Sequence, residues 1–292
     1  MGERPESDRT AADRTRVREA WDANAAYWDR EMGEGNAFHR YLLMPHLERL
    51  VHPQPGDRIL EIACGNGQLA RWMSSRGASV LAVDASEQMV ALARAKPPSA
   101  SPPIDFRVVD ACDAEALAGL PGPPFSAVVC NMALMDMPET LPLARSLPLL
   151  LASEGRFVFS VCHPCFNTSD SVKVARFVDD GPTPEELHGV EVTRYATPRQ
   201  GSGVAMLGQP SAQPYFERSL SLLLAPFLGV GLVVDALEEP VFPPGAPDRG
   251  RWFSWTNFPE IPPALVVRMT PGGRWGSRLG AGAAAGPVGQ TL

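Results

Sequence analysis

The sequence predicts an α/β fold built on a seven-stranded, mostly parallel sheet. From Asp57 onward, short apolar runs alternate with helical stretches, the pattern of βαβ units. A Gly-x-Gly turn sits where the first such run meets the helix after it. The last two runs leave no room between them for a full crossover helix, so they are expected to pair antiparallel at the sheet edge.

Each element has its own local signal. Residues 14–51 carry two helical patterns, VREAWDANAAYWDREM and FHRYLLMPHLERLV, with apolar groups three and four apart, and form an N-terminal helical cover. Strands are expected at 58–63, 79–85, 105–111, 126–131 and 156–162. Gly77 closes the helix QLARWMSSRG, Ser86 caps SEQMVALARAK, and Pro97-Pro98 stops the latter. Pro148 is expected to kink or end the helix that joins the fourth and fifth strands. Residues 164–215 break the alternation, contain one strand-like run, VEVTRYA, and read as a lid insertion. A helix (ERSLSLLLAPFLGVG) and two strands (LVVDALEEPV and ALVVRMT) follow. Residues 1–13 and 271–292 are expected outside the fold as disordered ends, with one domain over 14–270.

Composition narrows the function. The chain has 292 residues, 45% of them hydrophobic, and its 26 Gly and 30 Pro promise many turns. A net charge of −7 provides no general field for phosphate backbones or anionic membranes, so neither nucleic acid nor membrane is an expected partner. No apolar run reaches the roughly 18 residues of a membrane span, and a polar N-terminus without a signal-peptide core leads to a cytoplasmic expectation. Five cysteines, scattered through apolar segments, fit a reducing compartment. Cys162-His163-Pro164-Cys165 lacks the second ligand pair of a closed zinc site, so no metal is expected.

The most informative stretch is Glu61-Ile62-Ala63-Cys64-Gly65-Asn66-Gly67-Gln68-Leu69-Ala70, at a strand-to-helix turn. Glycines at 65 and 67 allow a sharp turn and close approach of a ligand to the backbone. Asp84, nineteen residues past Gly65 at the end of the next strand, can accept both hydroxyls of a ribose. The spacing alone also fits a dinucleotide, and Glu61 separates the two. A carboxylate four residues before Gly65 suits a ligand with a cationic amino-acid end and sits badly beside a pyrophosphate. S-adenosyl-L-methionine is therefore favoured over NAD.

With these residues in place the sequence resembles the class I S-adenosylmethionine-dependent methyltransferases of the small-molecule type, over roughly residues 20–270. The resemblance implies a Rossmann-like sheet. It places Asp84 and Ala85 at the ribose, Met89 against adenine, Asp110-Ala111 at the adenine amino group and Asn131 along the methionine moiety. It also implies that Tyr27, in Tyr27-Trp28-Asp29, belongs to a segment closing over the cofactor. Arg218 stands where the family often has Tyr-His-Arg, with Glu217 in place of the His.

Methyl transfer requires alignment, exclusion of water and removal of a proton where the acceptor carries one. His163, at the carboxyl end of the fifth strand, is the candidate proton acceptor. His39 and His46, seven apart on the second N-terminal helix, could line the acceptor pocket. The expected acceptor is a small, largely apolar molecule, such as a natural product, methylated on oxygen before nitrogen or carbon. Trp28, Phe38, Tyr41, Leu42, Phe166, Tyr195 and Phe216 provide apolar surface for it. Two rivals remain: an enzyme of this fold that uses the cofactor non-reactively for a rearrangement or decarboxylation, and an NAD(P)-dependent oxidoreductase.

Overall fold

The computed structural model describes residues 6–96, 102–179, 181, 183–247 and 251–273. Residues 1–5, the Pro97-Pro98 pair and 274–292 lie outside the described residues.

Helix α1 (Glu6–Met32) leads through a π-helical turn (Phe38–Leu43) into α2 (Met44–Val51). Then β1 (Arg58–Ile62), α3 (Gln68–Ser75), β2 (Ser79–Asp84), α4 (Glu87–Ala95) and β3 (Ile104–Val108) alternate as expected. They are followed by α5 (Ala114–Ala118), β4 (Phe125–Asn131), α6 (Leu141–Leu150) and β5 (Leu151–Cys162). Two hairpins, β6–β7 (Val172–Val178, Glu185–Glu191) and β8–β9 (Arg199–Gly203, Gln213–Glu217), precede α7 (Leu220–Gly229), β10 (Leu232–Glu238) and β11 (Ala264–Pro271). The sheet runs β10-β11-β5-β4-β1-β2-β3, and β11 is antiparallel to both neighbours.

The central strands are buried on both faces, hence their continuous apolar runs. On one face Leu60, Ile62, Val128 and Phe157 pack under α6 and α7; on the other Ile59, Val80, Ala127 and Val158 pack under α2 and α3. Phe157, Phe159 and Phe227 lie 5.0–5.8 Å apart between ring centroids and lock α7 to β5. Ser86 caps α4 by accepting the Met89 N–H, and α6 ends two residues after Pro148.

Two expectations need correction. Residues 8–13, expected outside the fold, lie within α1, and the Thr10 hydroxyl donates to Glu139 at 3.2 Å. The polar stretch has good helix formers and belongs to a helix held by its ends. The strand in the lid is Glu185–Glu191, not VEVTRYA, because pairing with β6 runs from Val172↔Glu191 to Val178↔Glu185 and stops there. The lid has strands of low apolar content, which carry no alternation signal.

Helix α1 straps the carboxyl ends of the strands together. Arg14 Nε donates to Asp110 at 2.7 Å, and the Ser86 hydroxyl donates to Asp22 at 2.5 Å. Asn24 exchanges two 2.8 Å bonds with the Ser211 backbone, and Asn66 donates to Asp29 at 2.9 Å. These bonds fix the helix over the loops after β1, β2 and β3 and against the lid.

Candidate functional site

At the carboxyl ends of the strands, under α1 and beside the lid, is a cavity of about 720 Å³, within the range of small-molecule sites. Glu61, Ala63, Gly65, Asp84, Ala85, Met89, Asp110, Ala111 and Asn131 all line it. Ala63 and Met132, which end β1 and β4 at the cavity wall, have φ of 55° and 53°. Such left-handed backbone is uncommon for residues with a Cβ, and strained positions of this kind cluster at ligand sites.

The loop after β1 is held by β2. Gly65 N–H donates to Asp84 Oδ2 at 2.8 Å, and Ser86 N–H donates to Oδ1 at 2.9 Å. Burial lifts the Asp84 carboxyl above its ordinary range, and these backbone donors work against the lift. Gly65 has φ of +53°, and a Cβ placed on it would meet nothing within 4 Å, so its backbone presents an open cradle. Gly67 instead caps α3 at φ +75°, where a Cβ would strike the Phe106 ring at 2.7 Å. It makes the turn and does not line the cavity.

Glu61 is 2% exposed and its Oε2 has no hydrogen-bond partner among the described residues. Burial first, then the Asp84 charge, pushes its carboxyl well above the usual range. A buried acceptor without a donor is costly, so a donor brought by a ligand fits there. Asp110 accepts the Cys112 N–H at 2.8 Å as well as Arg14, whereas Asp113 caps α5. Asn131 accepts the Ser160 hydroxyl at 2.6 Å through its oxygen, which leaves the amide hydrogens for the cavity.

Two other predicted residues are placed elsewhere. Tyr27 donates its hydroxyl hydrogen to the Leu207 carbonyl in the lid; Trp28 and Trp21 line the cavity instead. His163 is also outside the cavity wall, although Cys162 and Pro164 on either side belong to it. It lies just past the end of β5, where it is 2% exposed and packs on Phe166 at 4.6 Å between ring centroids. Its Nδ1 accepts the Cys165 N–H at 3.1 Å, and Nε2 lies 2.8 Å from Glu239. With Nδ1 accepting, Nε2 carries the hydrogen, so the neutral ring has no free lone pair. Burial pushes its pKa down, with Glu239 opposing. His163→Ala is expected to cost about 1–3 kcal/mol of stability through the lost bonds, with turnover keeping the shape of its pH profile. Urea unfolding and a pH series check both; a lost acid limb would restore His163 as a base.

Three cavity residues carry signals beyond the cofactor motif. Asp136, 7% exposed in the loop after β4, has an unpartnered Oδ1 and a carboxyl raised well above normal by burial, with a bond to Trp21 opposing. Arg218 donates to the Met137 and Pro138 carbonyls at 2.8 Å each and to Leu134 at 3.3 Å, and so fixes that loop. His39 accepts from Gln68 at Nδ1 (3.1 Å), leaving a buried Nε2–H without a partner, and burial lowers its pKa to about 4. His46 faces away from the cavity and pairs with Glu238. Of the expected apolar surface, Trp28, Phe38 and Phe216 line the cavity. Tyr41 and Tyr195 are largely exposed, Leu42 is core, and Phe166 packs on His163. The described residues contain no cluster suited to a metal ion.

Residues 59–155 match the family described as a methyltransferase domain. The match covers one third of the chain. The matched span runs from β1 to the start of β5 and includes the Gly loop, Asp84, Asp110 and Asn131. A ubiquinone biosynthesis O-methyltransferase of Xanthomonas campestris pv. campestris is 35% identical over 106 residues, 36% of this chain and 43% of its own length. The chain thus spans less than half of that curated relative. A solved S-adenosylmethionine-dependent methyltransferase from Mesorhizobium loti shares the fold with a TM-score of 0.59 and 23% identity, over 81% of this chain and 98% of the other. One from Listeria monocytogenes gives 0.57 and 21% over 80% and 97%. At these identities the likeness is one of fold, here a seven-stranded sheet in which β11 alone runs antiparallel to its neighbours. No described helix is long and apolar enough to cross a membrane.

Proposed function

We propose that this chain is an S-adenosylmethionine-dependent methyltransferase acting on a small, largely apolar molecule, with oxygen as the acceptor atom. The observation that carries the reading is the buried, unpartnered Oε2 of Glu61 beside the Gly65 cradle and Asp84, in one cavity. Those groups fit the cofactor: Glu61 toward its ammonium, the open Gly65 backbone and Asp84 along the sugar, Met89 and Asp110 at the base, Asn131 at the methionine end. When bound, the cofactor supplies an electrophilic methyl on sulfur. The chain's own part is to hold the two ligands in line and to keep water out under α1 and the lid. Glu61 also speaks against NAD(P), whose pyrophosphate would face a carboxylate with no cation between them. The O-methyltransferase relative supports oxygen as the acceptor atom.

Calorimetry with S-adenosylmethionine, S-adenosylhomocysteine and NAD(P) tests this reading. The first two are expected to bind and the dinucleotides not to. Asp84→Ala is expected to weaken S-adenosylhomocysteine more than tenfold, corresponding to about 1.5–3 kcal/mol of charge-assisted bonds. Binding of NAD(P) in preference to either would overturn the reading, and turnover of an acceptor without S-adenosylhomocysteine formation would favour the non-reactive rival.

A further inference from the structure

A chain of amides in the lid fixes the direction of one hydrogen. The Met206 N–H donates to Gln209 Oε1 at 3.0 Å, so that amide presents its nitrogen on the other side. Gln209 Nε2 donates to the Ser211 carbonyl at 2.7 Å and to Gln213 Oε1. Gln213 therefore has only its nitrogen left, and Nε2 donates to the Tyr215 oxygen at 2.9 Å. Because a backbone N–H can only donate, the polarity of the whole relay is set at Met206. The Tyr215 hydroxyl ends it as an acceptor, and among the described residues it donates its own hydrogen to none.

Tyr215 and Asp136 line the same cavity. Asp136 Oδ1 is a buried acceptor without a donor, and Tyr215 offers a donor without an acceptor. Arg218 holds the Asp136 loop from beneath through three carbonyls, so the carboxyl is placed by the fold. Burial pushes the Tyr215 hydroxyl upward, so it keeps its hydrogen. They do not satisfy one another.

We infer that Asp136 and Tyr215 form the polar end of the acceptor site, and that the acceptor is a planar aromatic alcohol: its oxygen accepts the Tyr215 hydrogen and its own hydrogen goes to Asp136 Oδ1. A hydroxyl is donor and acceptor at once and matches both groups. An ammonium has only hydrogens to give and would leave Tyr215 unmatched, and the buried Nε2–H of His39 is a further donor in the cavity that a cation cannot answer. Trp21, Trp28 and Trp255 provide flat apolar walls for the ring. This deepens the proposed function and rests on it, but the site itself involves no atom of the cofactor.

The test uses three probes of one shape, 2-naphthol, 2-methoxynaphthalene and 2-naphthylmethylamine, titrated into the full chain with and without S-adenosylhomocysteine. 2-Naphthol is expected to bind at least tenfold more tightly than the ether and more tightly than the amine. Asp136→Ala is expected to abolish the preference for the alcohol over the ether, and Tyr215→Phe to weaken alcohol and ether together. Equal affinity for alcohol and ether in the unaltered protein, a stronger amine, or no 2-naphthol binding would overturn the inference, and none of these requires a variant to fold. Absence of heat with S-adenosylhomocysteine alone counts against the cofactor reading, whereas the probe ratios measured without it still decide the acceptor site.

Discussion

Arg218→Met is expected to destabilise the protein by about 3 kcal/mol and lower its melting temperature by roughly 5–10 °C. The guanidinium is partly buried and fans across the Leu134, Phe216, Met137 and Pro138 carbonyls at 2.8–3.3 Å. Methionine matches its length and removes the cost of a buried charge, but leaves these acceptors without a donor in a place that water reaches poorly. Lysine has three hydrogens on a single point and cannot span the fan, so Arg218→Lys should recover only part of the loss. Because the same fan sets the loop bearing Asp136, acceptor binding should suffer more than cofactor binding. Urea unfolding with calorimetry on both ligands would check this; a variant of unchanged stability would show that the loop holds itself.

The central parallel strands were readable because each is buried on both faces and so announces itself as an apolar run. Ser86, Gly77 and Pro148 marked helix ends by mechanisms that act within a few residues. The proposed cofactor end was readable for the same reason, since Glu61, Gly65 and Asp84 are fixed by strand ends one βα unit apart. The proposed acceptor end was not. On α1, positions 14, 21, 28 and 32 share the face toward the cavity, and Tyr27 is one step of about 100° away from Trp28. A seven-residue spacing from Arg14 through Trp21 to Trp28 would have picked the right ring. His163 stands one residue past the end of β5, where Cys162 and Pro164 line the cavity and His163 does not. Asp136 did carry a sequence signal, one carboxylate within Ala-Leu-Met-Asp-Met-Pro, but without a fold nothing tells a buried acid from one that turns to solvent.

Glu61→Gln is expected to weaken S-adenosylhomocysteine about a hundredfold and to flatten the pH dependence of its binding. The Glu61 carboxyl is buried beside Asp84, and both the lost hydration and that neighbouring charge hold its proton well above the ordinary carboxylate range. In the ligand-free protein the folded state therefore keeps a proton that the unfolded chain has released. Its contribution to stability is fully present below the unfolded value and is lost as pH rises through the folded one. A ligand ammonium reverses the preference, because it favours the charged carboxylate. Cofactor affinity should then fall as pH drops through the raised value, by up to tenfold for each further unit, while the ligand-free protein gains stability over that same interval. Glutamine keeps the shape and cannot titrate, so the Glu61 share of both slopes should vanish together, leaving that of the other raised carboxyls, Asp84 and Asp136. Calorimetry and urea unfolding at several pH values, on the unaltered chain and the variant, separate this from a general loss of fold. A Glu61→Gln protein that binds as tightly as the unaltered chain and retains its pH slope would move the ligand's ammonium away from Glu61.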